Sequence, residues 1–255
     1  GTLGSPGAHG EHVAGTATGA ADPAGEIPRY GVAPNASLIK VNAFEGGAFL
    51  NDILAGVQYS VAQDADVAGM SLGFPPTNDR NPMINAVDRA MKDANAAGTL
   101  VSVSAGNSGN FDQGGPVTSP APEFGAFSVG ASFDNPVNVP EIPASIIPSN
   151  TGSNNDIVFF SSGGVISERT AVESFEYPDT YPRQYVQPDV SAPGAIVISA
   201  GPLGSTPPSL SDDAATYSYN SGTSMAQPHV AGAVALVHSA TSEDLAPTQV
   251  VACLA

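Results

Sequence analysis

Residues 217–237 read YSYNSGTSMAQPHVAGAVALV, polar at the start and apolar from Met225 onward. Asn220, Ser221, Gly222 and Thr223 form a polar, glycine-containing turn that delivers Ser224 where a helix is expected to begin. Pro228 is expected within about its first turn, where a missing N–H costs little. Beyond it Val230, Ala233, Val234 and Val237 recur at three- and four-residue spacing, with Gly232 and the alanines permitting close contact. Ser224 then stands at the positive end of a buried helix, where N–H groups and the helix dipole favour a developing anion. Two readings are open at this point: an N-cap that only satisfies the first turn, or a nucleophile.

Two further stretches bear on the choice. His9-Gly10-Glu11-His12-Val13-Ala14-Gly15-Thr16 puts a histidine at the mouth of a small-residue segment, and Ser102-Val103-Ser104-Ala105-Gly106-Asn107-Ser108-Gly109 ends an apolar strand in a glycine-flanked asparagine. A serine, a histidine and an amide donor, each where a regular element meets a loop, are the parts of an acyl-transfer site. HGEHVAGT, SVSAGNSG and GTSMAQPHVAGAVAL resemble, in the same order, the His, oxyanion-Asn and Ser motifs of the subtilisin-like serine peptidases, the subtilases. The α/β-hydrolase alternative fails, because it expects G-x-S-x-G and a histidine after the serine, whereas Gly222-Thr223-Ser224-Met225-Ala226 lacks the second glycine and His9 comes first.

The resemblance covers nearly all of residues 1–255 as one catalytic domain. It implies His9 as general base, His12 as a structural histidine, Asn107 as oxyanion donor and Ser224 as nucleophile of a serine endopeptidase. Ser71-Leu72-Gly73 and Ser104-Ala105-Gly106 resemble the two backbone segments that flank the P1 side chain of a substrate, with Thr118 at the pocket floor. No charge lies in these segments, so an uncharged P1 residue is expected. Ser119-Pro120 matches a position where the peptide bond is often cis. The Asp22-to-Glu26 region, within Ala21–Tyr30, matches a loop that in relatives often binds calcium. A structural calcium is therefore an open question, while the chemistry itself requires no cofactor. Secretion, and protein or peptide substrates, are further implications.

Two departures accompany the likeness. Glu11 stands where the family commonly has Thr. Subtilases also carry an Asp on a strand before the His, yet Gly1–Ala8 hold no carboxylate. The expectation is a chain truncated at both ends, whose Asp strand comes from an upstream stretch or a separate polypeptide. The rival reading is a catalytically inactive subtilase-like module kept for binding or structure.

Composition bounds these readings. The chain has 255 residues, 24 acidic against 7 basic, for a net charge of −17. Charged residues make up only 12%, against roughly 25% in an ordinary domain. Scarce Lys and Arg argue against nucleic acid and anionic membranes as partners. No run of 18 apolar residues suggests a membrane span. One cysteine, Cys253, excludes an internal disulfide; its apolar neighbours suggest a buried thiol.

The rest of the chain alternates strand and helix patterns. A helix is expected at 9–20, a strand at Ser37–Asn42, and a helix at 50–64 with Ile53, Leu54, Val57 and Val61 on one face. A strand at Val67–Leu72 follows, then a helix at Pro82–Ala97 with Ile84, Val87, Met91 and Ala94 on its stripe and Gly98 as C-cap. Strands follow at Thr99–Ser104 and Ala126–Ala131. This cadence implies an α/β fold, doubly wound, with a mostly parallel sheet and helices on both faces. From about 132 to 188 the pattern degrades, apart from a short strand at Ile157–Phe160. An insertion near 164–186 is either a surface loop or an ordered flap. A last strand is expected at Ile196–Ala200.

Overall fold

The computed structural model describes residues 8–20, 31–43, 50–74, 82–109, 117–134, 156–167, 184–201, 217–241 and 245–254. In chain order the elements are α1 (Ala8–Thr18), α2 (Leu50–Ala62), β1 (Val67–Met70), α3 (Pro82–Ala96), β2 (Leu100–Ser104), β3 (Phe127–Ser132), β4 (Gly164–Ser167), β5 (Gln184–Gln187), β6 (Val190–Pro193), β7 (Val197–Ala200), β8 (Tyr217–Asn220), α4 (Thr223–Ala240) and α5 (Pro247–Leu254). Strands β1, β2, β3 and β6 form a four-stranded sheet in that order. Every pairing in it is parallel, with Met70 opposite Val103, Ser104 opposite Val129 and Val129 opposite Val190.

A parallel sheet is stable only when both faces are covered, and the residues of β2 and β3 are all buried. Side chains alternate across the pleat. Val101 and Val103 face a cluster with Ile53 and Val57 of α2 and Val87 and Met91 of α3. Leu100 and the β3 residues Phe127, Val129 and Ala131 join Val230 and Val234 of α4 and Val250 of α5 on the opposite face. Ile53, Val57 and Val61 of the stripe expected for α2, and Val87, Met91 and Ala94 of that expected for α3, seal the first face; Leu54 stays outside that cluster, and the Ile84 side chain lies outside the described residues.

Polar pins fix α3. Its C-terminus is turned by Gly98, at φ 103°. Asn95 Nδ2 donates to Gly125 O at 2.8 Å while its Oδ1 accepts from Val101 N at 3.1 Å. The buried Asp88 accepts from Gly125 N at 3.0 Å and from Lys92 Nζ at 2.7 Å.

Three sequence expectations need correction. Ser37–Asn42 does not form a strand within the described residues, and Leu38, Ile39 and Val41 stand 57%, 40% and 40% exposed. β-propensity cannot make a strand without a neighbour to receive its N–H and C=O groups. Ile157–Phe160 provides only a single bridge, Ser132 to Ile157, before a tight turn closed by Ser161 N to Val158 O at 2.9 Å. The last expected strand is present as β7, which pairs antiparallel with β8 outside the parallel sheet. Ile196, at φ 58°, turns the chain away just before it. Cys253 is exposed, because α5 turns Val250, Val251 and Leu254 to the core and leaves the thiol outside that face.

The ends of the 164–186 stretch pair as an antiparallel hairpin, Gly164 opposite Gln187 through Ser167 opposite Gln184; residues 168–183 lie outside the described residues, as does the loop at 21–30.

The covered face next to β2 sets a stability expectation for the full-length protein. Met91 is fully buried, so Met91→Ala should cost about 2–5 kcal/mol in urea unfolding, whereas exposed Tyr59 replaced by Ala should stay within about 0.5 kcal/mol. Equal losses would contradict this assignment of the core.

Candidate functional site

The N-terminal turn of α4 abuts the loop that follows β2. Gly222 is the N-cap of α4, at φ 156°, with no side-chain cap. A Cβ there would lie 3.3 Å from Asn107 Nδ2, so glycine allows the close approach. Ser224 is the second residue of the helix and half-buried; the N-cap reading of this serine is thereby removed. Pro228 sits in the second turn rather than the first.

Asn107 is held by its oxygen. Oδ1 accepts from Thr223 N at 2.8 Å and from Thr223 Oγ1 at 3.1 Å, and Thr223 Oγ1 in turn accepts from Gly106 N at 3.0 Å. With Oδ1 committed, Nδ2 is the end turned toward Gly222. In the same turn Met225 N and Ala226 N donate to Gly222 O at 2.9 and 3.3 Å. The Ser224 N–H has no intrahelical partner, as for any second residue of a helix. Two donors, a side-chain amide and a main-chain N–H, thus belong to the same corner.

The loop that carries Asn107 is braced from the far side by Ser162, whose Oγ accepts from Ser108 N at 3.0 Å and whose N–H donates to Gly106 O at 2.9 Å. This bracing segment leads directly into the β4–β5 hairpin.

The two backbone segments singled out for substrate lie at the ends of adjacent strands. Ser71, Leu72 and Gly73 continue β1; Ser104 ends β2, and Ala105 and Gly106 continue it. Ser104 Oγ donates to Leu72 O at 3.3 Å. Thr118 N donates to Ala105 O at 2.9 Å. The Thr118 side chain is wedged between the two segments: a Cβ at Gly106 would meet its Oγ1 at 2.6 Å, and one at Gly73 would collide with the same atom. Ser119–Pro120 is cis, and Phe74 N donates to Ser119 O at 2.7 Å. A second cis bond, Gln187–Pro188, was not foreseen.

Helix α1 packs against α4 and β7. Its glycine makes this possible, since a Cβ at Gly15 would lie 3.0 Å from Ala200 N. Ala17 O lies against Gly232 of α4, and His12 is within electrostatic reach of both His9 and His229. Among the described residues no hydrogen bond joins His9 to Ser224. His12 is fully buried, and its Nε2 lies 3.0 Å from Val197 O and 3.1 Å from Ser218 O. It ties α1 to β7 and β8, a structural role.

Burial lowers the pKa of His9, His12 and His229. For His12, hydrogen bonds to the carbonyls of Ser218 and Val197 oppose the effect without reversing it. A neutral His9 at neutral pH can accept a proton. Among the described residues no group of three or more His, Cys, Asp or Glu side chains could hold a metal ion, and no helix is long and apolar enough to cross a membrane.

Sequence reasoning passed over the hydrogen bonds of Thr223 and Ser162 and the contact of Gln227 with Ser71 Oγ at 2.9 Å. Thr223 could have been found from its place between Gly222 and Ser224; Ser162 and Gln227 act through contacts far along the chain.

Comparison with known proteins gives a consistent result. The sequence profile described as "Subtilase family" matches residues 3–255. Subtilisin DY of Bacillus licheniformis is 32% identical over 91% of this chain and 63% of its own length. Serine protease AprX of Bacillus subtilis is 32% identical over 95% of this chain and 50% of its own length. The chain thus spans between half and two thirds of these two curated relatives. Among solved structures, Sphericase superposes with a TM-score of 0.63 at 29% identity, covering 97% of this chain and 68% of that one. A psychrophilic protease, S41, gives 0.62 at 27% identity, covering 96% and 67%.

The buried histidine gives a pH expectation. A histidine with a depressed folded pKa leaves stability intact above its unfolded value of about 6.5, and stability falls as pH drops below that toward the folded value. The melting temperature should therefore fall between pH 7.5 and 5.5, and His12→Gln should flatten part of that slope. An unchanged slope would remove His12 from the account.

Proposed function

The chain belongs to the subtilase family, and from that premise we propose that it forms the catalytic part of a secreted serine endopeptidase in which Ser224 is the nucleophile. The observation that carries the reading is the commitment of Asn107 Oδ1 to Thr223, which leaves an amide N–H₂ beside the first turn that bears Ser224. In this reading His9 takes the Ser224 proton as the hydroxyl attacks a peptide carbonyl, then passes it to the leaving amine. The carbonyl oxygen becomes an anion, met by Asn107 Nδ2 and the Ser224 N–H.

Extended peptide would lie along the two segments at the ends of β1 and β2, gaining main-chain hydrogen bonds largely independent of its sequence. Thr118, wedged between Gly73 and Gly106, makes the P1 pocket shallow. A small uncharged P1 residue is the consequence.

The carboxylate that orients His9 belongs, in this reading, to a strand added at the open edge of β1. That edge has no pairing partner among the described residues. Beside it the exposed Leu38, Ile39 and Val41 offer apolar surface, and Val41 reaches Gly56 of α2, the helix that also covers β1. The added strand would come from elsewhere in the full-length protein or from a separate polypeptide.

The tests use the full-length protein. Ser224→Ala should abolish peptide hydrolysis and labelling by serine-directed inhibitors. Asn107→Ala should lower kcat about 10²–10³-fold, the loss that removing such a donor causes in subtilisin. Thr118→Gly should shift preference toward larger P1 residues. Hydrolysis that survives Ser224→Ala would overturn the assignment.

A further inference from the structure

Pro228 carries no N–H, so the carbonyl of Ser224, four residues earlier, has no partner within α4. Ser71 supplies one from outside the helix: its Oγ lies 2.8 Å from Ser224 O. The same Oγ lies 2.9 Å from the side-chain amide of Gln227. A hydroxyl has one proton, and it cannot serve both oxygens. With Oε1 facing Ser71, Gln227 Nε2 is also left buried without a partner, in a side chain only 1% exposed.

Exchanging the two ends of the amide removes the first conflict and eases the second. Nε2 then donates to Ser71 Oγ, and the Ser71 proton goes to the Ser224 carbonyl. The orphan becomes an amide oxygen, which burial tolerates better than an N–H₂. A Cβ at Gly69 would come within 2.7 Å of this amide, so the glycine in β1 leaves the space that the glutamine fills.

We propose that Gln227 and Ser71 form a relay that positions the nucleophile: Gln227 Nε2–H to Ser71 Oγ, Ser71 Oγ–H to Ser224 O. Gln227 touches neither substrate nor reacting atoms; it is a positioning residue. The relay replaces the helix bond that Pro228 removes and fixes the peptide plane behind the Ser224 side chain. It also ties the nucleophile's turn to the strand end that would hold substrate, so the two halves of the site keep one register. This inference rests on the peptidase reading for its kinetic part and on geometry alone for the rest.

The test uses Ser71→Ala, Ser71→Thr, Gln227→Leu and the double variant Ser71→Ala/Gln227→Leu in the full-length protein, with Gln227→Met as a second probe should the leucine fail to fold. With a small ester as substrate, each of Ser71→Ala and Gln227→Leu should lower kcat about tenfold with KM within about twofold, and the double variant should lose no more than either single one. Ser71→Thr, which keeps the hydroxyl, should restore most of the rate. Independently of any hydrolysis, the ¹³C resonance of the Ser224 carbonyl should move in Ser71→Ala and also in Gln227→Leu, although Gln227 does not touch that carbonyl. Additive losses in kcat, or a Ser224 carbonyl indifferent to Gln227, would overturn the relay. A carbonyl that responds in a protein without Ser224-dependent hydrolysis would keep the relay and overturn the peptidase reading instead.

Discussion

Two hydrogen bonds from Thr223 to one amide oxygen join the loop after β2 to the start of α4. The chemistry proposed for Ser224 and Asn107 depends on that junction. β2 is buried on both faces and cannot move without disturbing two apolar clusters. α4 packs on β1, β2, β3 and β6. The junction therefore transfers the rigidity of the sheet to the first turn of the helix. An asparagine in a glycine-flanked loop would otherwise sample many rotamers, and the entropy of ordering it would fall on the reaction. Here that ordering belongs to folding.

The same logic explains the small residues around the helices. Gly222 lets Asn107 approach, Gly15 lets α1 approach β7, and Gly232 lets α4 approach Val32 and Ala17. A side chain at any of these would separate parts that the site needs close together. Gly106, at φ 108°, has the further constraint that its backbone lies in a region that other residues rarely adopt.

Much of this was legible in the sequence, and the limits have physical causes. α2 and α3 carry stripes long enough to set a period, and β2 is an apolar run of ordinary length. The Ser224, His9 and Asn107 stretches were legible as strings, because each places a distinctive side chain beside small residues. β6 was not, since four residues ending in Pro193 read as a breaker rather than a strand. β8 carries no apolar run, only Tyr, Ser and Asn. The eight residues of α5 are too few to show a stripe, and that misled the reading of Cys253. Ser37–Asn42 failed in the other direction: it has strand composition but forms no strand within the described residues. The role of Gln227 follows from a missing N–H at Pro228 and a hydroxyl on a distant strand, a combination that no local window contains.

The exposed thiol on α5 has a practical meaning. Cys253 is the chain's one cysteine, and it lies on a helix whose inner side is anchored by Val250. A maleimide dye would therefore attach once per chain, at a defined and accessible point, without opening the core. In an oxidising medium the same sulfur is the point at which two chains can be joined covalently. Handling without reductant would accordingly expose this acidic protein to disulfide-linked pairing through Cys253.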